Sequence, residues 1–520
     1  MLSTGAKLIR HIKQARRLFY ERALKKINDF ILLPPPTVAL MMVVAGAIFF
    51  ALSNLRHSLF HSTGFDLGIY DQVVYLISKG KSPISSFLGY HHMGNHAAWS
   101  VYPLGLLYKI YPDVRWLFLV QAISLALGAW PAWSLARLEG LKPRLAGAIA
   151  AAYLLYPTIF NVNLFDFHPE VMAVPAIFGA ILAAKRQQVG WFSVAIAWIL
   201  GCKAVLSLTI LAMGFWLWKF EGRKLCGLIA LSAGFFWFLI VTQGIIPAFS
   251  GQEVAGVGRY SYLGDSVIGI IVNMFLLPEA VLGKILSWDS FKYLLLVILP
   301  VIWGLVPGGK LPKIANFIPL IPAIPTLFLN ILSDVSFQRS LDYQYSLPVV
   351  PFLLLTVILL LRQTDKISVL AELKLPKLKW QLSIPNYRSP KVIILWSVVV
   401  LLLLVNLSAF SAASRSLDTV RATKEAIATV KTKGGVLTDN KLAPHLSHRE
   451  TVKLLNQTDP ENLEEFDYVV LNLRHPWPDT VEQGIILAER LNNSYQWKIS
   501  YQKDDVVVFE RVGESVYSDY

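Results

Sequence analysis

The segment Phe65-Asp66-Leu67-Gly68-Ile69-Tyr70-Asp71-Gln72 places two carboxylates five residues apart, soon after the first long apolar run. On a helix that spacing is about 140° around the axis, so one carboxylate can point into a site while the other caps or pairs elsewhere. Asp66 stands near Gly68, where a substrate meets little steric resistance, and is the candidate general base. Asp71 opens the run Val73-Val74-Tyr75-Leu76-Ile77, which reads as a packed helix, and is the better structural cap. Both could equally be interfacial caps or ion-pair partners.

A second segment, Asn163-Leu164-Phe165-Asp166-Phe167-His168-Pro169-Glu170, sets three titratable groups between apolar stretches. Such groups are expensive near hydrocarbon unless they are satisfied or used. A turn with Asp166 as N-cap and Pro169 as first helical residue accounts for those two, but gives His168 and Glu170 no task. A third, Tyr90-His91-His92-Met93-Gly94-Asn95-His96, could join Asp66, Asp71 or Glu170 in holding a divalent metal ion. Its spacing matches no metal signature such as H-E-x-x-H, and polar interfacial histidines account for it as well. Lys203 lies between two apolar runs, and Arg259 and Arg339 lie in later loops. An intramembrane lysine either snorkels or meets an anion. Three cations on one side of a membrane, opposite several carboxylates, suit a phosphate-bearing lipid.

The elements that must position these residues are membrane spans. The chain has 520 residues, of which 55% are hydrophobic and 16% charged, with a mean hydropathy of +0.51. Soluble domains carry about 25% charged residues. The net charge of +14 falls mostly in short gaps between apolar runs, where it serves topology rather than nucleic acid. Cys202 and Cys226 both lie in apolar stretches and indicate no disulfide framework.

Spans of about 20 apolar residues are expected at 37–55, 116–136, 145–163, 171–184, 190–202, 204–218, 225–247, 290–306, 314–332, 346–362 and 392–410, about eleven in all. Several of the middle ones are short. Residues 1–33 read as a basic helix on the inner leaflet, with no cleavable signal peptide. Alternate loops are then basic: Arg137, Lys142 and Arg144; Lys185 and Arg186; Lys219, Arg223 and Lys224; Lys310 and Lys313; and the lysine-rich 363–391. The positive-inside rule puts these in the cytoplasm and the candidate site residues outside. The membrane domain is thus 34–410, with long outer loops at 56–115 and 248–289. Within the first loop, 97–111 is expected to lie along or dip into the outer interface. From 411 to 520 the composition becomes that of a small extracytoplasmic α/β domain. Its expected elements are helices over 414–431 and 480–494, strands over 436–439 and 466–473, and a hairpin around Lys503-Asp504-Asp505.

Taken together, F-D-L-G-I-Y-D-Q, the following G-N-H, F-H-P-E and a lysine between two short spans resemble a bacterial family. It is the uncharacterised predicted membrane protein family whose domain-of-unknown-function number is two-zero-seven-nine. The stretch from Asp439 to Arg449 and Tyr468-Val469-Val470-Leu471 resemble its outer domain, so the likeness runs from about residue 55 to the end. The sequence departs from the family at Ala204 and Val205, where an acidic pair usually follows the lysine. That family in turn resembles the GT-C superfamily of membrane glycosyltransferases, which take sugar from a polyprenyl-phosphate donor on the outer face.

The resemblance implies an all-α polytopic enzyme of a bacterial inner membrane, with Asp66 as catalytic base. Asp71, His92, His96, Asp166, His168, Glu170, Lys203, Arg259 and Arg339 are the residues expected around a polyprenyl-phosphate-linked sugar. Asp66 would take the acceptor proton while the cations meet the departing phosphate, inverting the anomeric carbon. No Walker A or strand-linked G-x-G-x-x-G is present, and no cofactor beyond a divalent metal is suggested. Two rivals fit the same residues: a transporter or lipid flippase, which would want its charges nearer the midplane, and a non-enzymatic envelope scaffold.

Overall fold

Pro36 at the first helical position and the uninterrupted apolar run after it start the helix Pro36–Ser58, whose last turn carries Arg56 and His57. The computed structural model that contains it describes residues 33–305, 313–364, 389–459 and 462–512. The expected basic helix before residue 33, Lys310 and most of the loop 363–391 lie outside the described residues. Each of the eleven apolar segments has a helical counterpart.

Among the described residues, five helices are long and apolar enough to cross a membrane alone: Pro36–Ser58, Arg115–Leu138, Lys224–Ser250, Trp288–Leu305 and Ile314–Leu332. The pair Pro143–Leu154 and Pro157–Asn163 bends by 43°, where Pro157 starts a new helix. Val189–Cys202 and Leu206–Lys219 have 14 residues each, a rise of roughly 21 Å against a hydrocarbon core of about 30 Å. Val189–Cys202 packs mainly along Glu170–Lys185 and Leu206–Lys219 along Lys224–Ile240, with the break at Lys203 between them.

One of the long loops differs from expectation. Residues 248–289 contain two further helices, Val267–Leu276 and Pro278–Ile285, bent by 90°. Residues 97–111 form a 3-10 turn, Trp99–Leu104, followed by the short helix Gly105–Ile110, too short to cross and so in keeping with an interfacial segment.

The basic loops meet at one end of the bundle. Glu139 pairs with Lys185 at 2.9 Å and Arg362 at 2.6 Å, and Lys185 also reaches Glu221 at 3.2 Å. Arg223 donates to the Lys185 carbonyl at 2.9 Å. Lys185 and Glu170 are the two ends of one helix, Glu170–Lys185, so this knot and the candidate site stand roughly 22 Å apart along its axis.

The C-terminal domain is a five-stranded sheet. After a two-stranded ribbon in the first loop, β1 (Ile84–Ser85) and β2 (Tyr90–His91), come β3 (Val436–Thr438), β4 (Val452–Leu454), β5 (Tyr468–Asn472), β6 (Trp497–Lys503) and β7 (Val506–Arg511). The order is β4-β3-β5-β7-β6, with β3 parallel to β4 and β5, and β7 antiparallel to β5 and β6. Alternation sorts Leu437, Val469, Leu471, Val507 and Phe509 to one face, which packs with Leu487 and Leu491 of helix Val481–Asn492. Val436, Tyr468, Val470, Val506 and Val508 take the other, with Ala422 and Ala426 of helix Leu417–Thr429. Phe60, just past the first apolar helix, belongs to that second cluster and seats the domain on the membrane part. Asp504 and Asp505 turn the hairpin with φ of 50° and 59°, the left-handed pair that a two-residue loop requires. The three residues of β4, unremarkable in sequence, were not anticipated.

Candidate active site

Asp66 lies on a π-helical turn, Gly64–Gly68, closed by Gly68 N–H donating to Thr63 O at 3.1 Å. Such turns displace a residue from regular helical register and are frequent at functional sites. The α-helix Ile69–Ser78 begins only after it, so the two aspartates separate more completely than a single helix would allow. Gly68 does not open space for a substrate as expected: a Cβ there would sit 3.1 Å from the Phe87 ring. Its role is close packing.

The turn is anchored to the F-D-F-H-P-E segment. Asp166 is fully buried and accepts from Arg56 Nη1 at 2.5 Å, Thr63 N at 2.9 Å and Thr63 Oγ1 at 2.7 Å. It is a clamp between the end of the first apolar helix and the loop before Glu170, with no N-capping bond to the helix it precedes. Ser53 and Asn163 extend the seam, with Ser53 Oγ donating to Asn163 O at 3.0 Å and Asn163 Nδ2 to Phe49 O at 2.8 Å.

Within this frame His168 Nε2 stands 3.1 Å from Asp66 Oδ1, and His168 Nδ1 stands 3.0 Å from Asp166 O. A carbonyl only accepts, so Nδ1 carries a proton. One further proton is then shared between Nε2 and the Asp66 carboxylate. Burial pushes the Asp66 carboxyl up, but the His168 hydrogen bond and charge, with Lys203 and Arg56 beyond, hold it below its ordinary value. Burial pulls His168 down, and Asp66 and Glu170 outweigh it to raise it. Both shifts describe an imidazolium–carboxylate pair. His168 is buried while 34% of the Asp66 side chain remains exposed.

Beside this pair lies the second. The helix Val189–Cys202 stops at Lys203, whose backbone is extended, and Ala204 N–H donates to His96 O at 3.0 Å. Lys203 Nζ ion-pairs with Glu170 Oε1; Glu170 Oε2 is buried without a hydrogen-bond partner among the described residues. Lys203 Nζ is 5.8 Å from the Tyr345 ring centre, and the Arg259 guanidinium lies 5.2 Å from the same ring and 5.7 Å from Phe337. Aromatic rings connect the two pairs. Phe165 stacks on His168 at 5.4 Å and meets Tyr343 edge-on at 4.9 Å, and Tyr343 and Tyr345 are 6.5 Å apart. His96 faces Lys203 and Arg259, and burial followed by their charge keeps its imidazole well below its usual value, hence neutral.

Asp66, His96, His168, Glu170, Lys203 and Arg259 therefore share one region that Asp166 frames, and Asp71, His92 and Arg339 are engaged elsewhere. Asp71, 1% exposed, is bound by Tyr108 at 2.5 Å, by Ser447 and by His448 at 3.1 Å. His92 is buried, with Nε2 3.2 Å from Ala98 O, and Arg339 donates to Ser333 O and to Asn330 O at the end of helix Ile324–Leu332. No group of three or more His, Cys, Asp or Glu among the described residues is placed to hold a metal ion, so the imidazole–carboxylate metal site does not form. Sequence reasoning missed Arg56, Tyr343, Tyr345 and Asn440. Arg56 carried a signal, a cation in the last turn of an apolar helix on the side with few basic residues, and Asn440 lay within the Asp439–Arg449 stretch that carries the family likeness; Tyr343 and Tyr345 carried none.

Asn440 belongs to the C-terminal domain. Gly64 N–H donates to both Asn440 O and Asn440 Oδ1 at 2.8 Å, and Phe65 N–H to Oδ1 at 3.2 Å. A Cβ on Gly64 would come within 2.9 Å of Ala443 Cβ, so glycine is needed for this approach.

Residues 56–508 match the model of the family described as "Predicted membrane protein (DUF2079)", and the chain belongs to that family. ArnT from Cupriavidus metallidurans in the apo state aligns over 90% of this chain and 97% of that chain, at 14% identity and a TM-score of 0.51. The structure of ArnT bound to undecaprenyl phosphate aligns over 90% and 98%, at 13% identity and a TM-score of 0.49. The likeness to the apo form shows an ArnT-like fold, in line with the GT-C resemblance of the sequence. No curated protein matches the chain.

Proposed function

We propose that this member of the DUF2079 family is a GT-C-type membrane glycosyltransferase. It would move a sugar from a polyprenyl-phosphate donor to an acceptor on the outer face of a bacterial inner membrane. The observation that carries the reading is the convergence of a partly exposed Asp66–His168 pair with Lys203, Glu170 and Arg259, all on segments assigned to the outer side. In this reading all eleven apolar segments cross the bilayer, with the N-terminus inside and 411–520 outside.

The chemistry is a single displacement. His168 engages Asp66 Oδ1, leaving Oδ2 to take the proton of an acceptor O–H. The acceptor oxygen bonds to the anomeric carbon as the bond from that carbon to the lipid phosphate oxygen breaks. The electron pair leaves with the phosphate, whose growing charge Lys203 and Arg259 would stabilise. His168 keeps Asp66 ionised and in place, at some cost in basicity. A flippase is less favoured, because these charges gather at one end of the helix Glu170–Lys185 and away from its middle.

The test is transfer from a labelled polyprenyl-phosphate sugar in membrane vesicles. Asp66→Asn keeps the shape and removes the proton acceptor, so transfer should fall about 10²–10⁴-fold at unchanged protein level. An Asp66→Asn variant as active as the parent would refute the assignment.

A further inference from the structure

We infer that Asn440 is a positioning residue for Asp66: the C-terminal domain supplies, from far along the chain, the N-terminal cap of the turn that carries the base. The inference rests on the glycosyltransferase reading for its catalytic half and on geometry alone for its structural half.

The first amides of a helical turn have no partner within it. In most helices the residue before the turn supplies one, through a side-chain oxygen. Here that residue is Thr63, and its hydroxyl is engaged with Asp166 Oδ2 at 2.7 Å. The amides of Gly64 and Phe65 are met instead by Asn440. Asn440 is itself fixed by its neighbour, because Asp439 Oδ1 accepts from Lys441 N at 2.8 Å and Leu442 N at 2.9 Å and so shapes the loop. The turn is thus held at Thr63 by the membrane part and at Gly64 and Phe65 by the soluble domain. Asp66 is the next residue. Gly64 N–H keeps its bond to the Asn440 carbonyl at 2.8 Å in any side-chain variant, but loss of Oδ1 takes the acceptor from Phe65 N–H and frees the turn to relax toward an ordinary helix, which would rotate Asp66 away from His168.

The contacts of Asp71 with Ser447 and His448, and of Gln72 Nε2 with Arg449 O at 3.1 Å, keep the domain docked without Asn440. Docking and capping can therefore be separated.

The experiment uses the full-length protein in detergent or nanodiscs and compares Asn440→Ala, Asn440→Asp and Lys81→Ala. Lys81 makes an exposed ion pair with Glu450 across the same interface and serves as a control. Amide hydrogen exchange is expected to rise across 64–68 in Asn440→Ala while 468–472 stays protected. In the transfer assay kcat should fall tenfold or more, since a misplacement of about 1 Å can cost roughly 10²-fold, with KM for the lipid donor little changed. Asn440→Asp keeps the acceptor oxygen and should restore both readouts, and Lys81→Ala should match the parent. Unchanged exchange and kcat in Asn440→Ala would overturn the inference. So would equal impairment by Ala and Asp, or loss of protection at 468–472, which would mean that Asn440 docks the domain rather than capping the turn. A parent protein without transfer would remove the glycosyltransferase reading, and the exchange data would still decide the cap.

Discussion

Asp66 and His168 lie far apart in sequence, yet each had a signal of its own: a carboxylate beside glycine after an apolar run, and an imidazole that a simple turn left without a task. What sequence could not supply was the partner of each, because pairing depends on which helix ends meet. The pairing fixes a pH dependence. His168 is raised from its ordinary 6.5, so its contribution to stability is complete below that value and is lost as pH rises through the higher folded-state value. Asp66 is lowered from 3.8, so its contribution is present above that value and is lost as pH falls through the lower one. The pair therefore stabilises most between about pH 4 and 6.5. His168→Gln should lower the thermal midpoint clearly at pH 6 and much less at pH 9, measured by thermal unfolding in detergent. An equal loss at both values would show that the pair is not ionic.

At the scale of elements, the two conspicuous motifs, F-D-L-G-I-Y-D-Q and D-N-K-L-A-P-H-L-S-H-R, are two halves of one interface. Asp71 meets Ser447 and His448, Gln72 meets the backbone at Arg449 and Glu450, and Asn440 meets Gly64. The apolar helices, both C-terminal helices and four of the domain's five strands were readable from periodicity and β-branched runs. The three residues of β4 were not, being too short for a pattern, nor was the π-turn, whose register depends on anchors at both ends. Burial lowers His448, and the charge and hydrogen bond of Asp71 act against it, so that His448 is raised overall. Asp71→Asn leaves the shape but removes the charge that Tyr108, Ser447 and His448 surround, and should cost about 1–3 kcal/mol. The cost should appear as a lower midpoint and earlier proteolysis near 411, with transfer per folded molecule largely kept. A variant as stable as the parent but inactive would make Asp71 part of the chemistry.

For the whole molecule, two arguments meet at Lys185. The first is charge: Arg137, Lys185 and Arg223 fall in alternate loops, which the positive-inside rule assigns to the cytoplasm. The second is geometry. Glu139, Lys185, Glu221 and Arg362 form one ion-pair knot. The helix that leaves the knot at Lys185 ends at Glu170, beside Lys203. The C-terminal domain touches the Asp66 turn and so shares its side. If the knot is inside, Asp66 and residues 411–520 are outside together; one cannot be inverted without the other. Alkaline phosphatase, which is active only outside the cytoplasm, fused after Tyr520 should therefore be active. A fusion ended within the 219–224 loop should be inactive at equal expression. An inactive, well-expressed fusion at Tyr520 would invert the whole molecule, placing the Asp66–His168 pair in the cytoplasm and removing the outer-face donor from the proposed reaction.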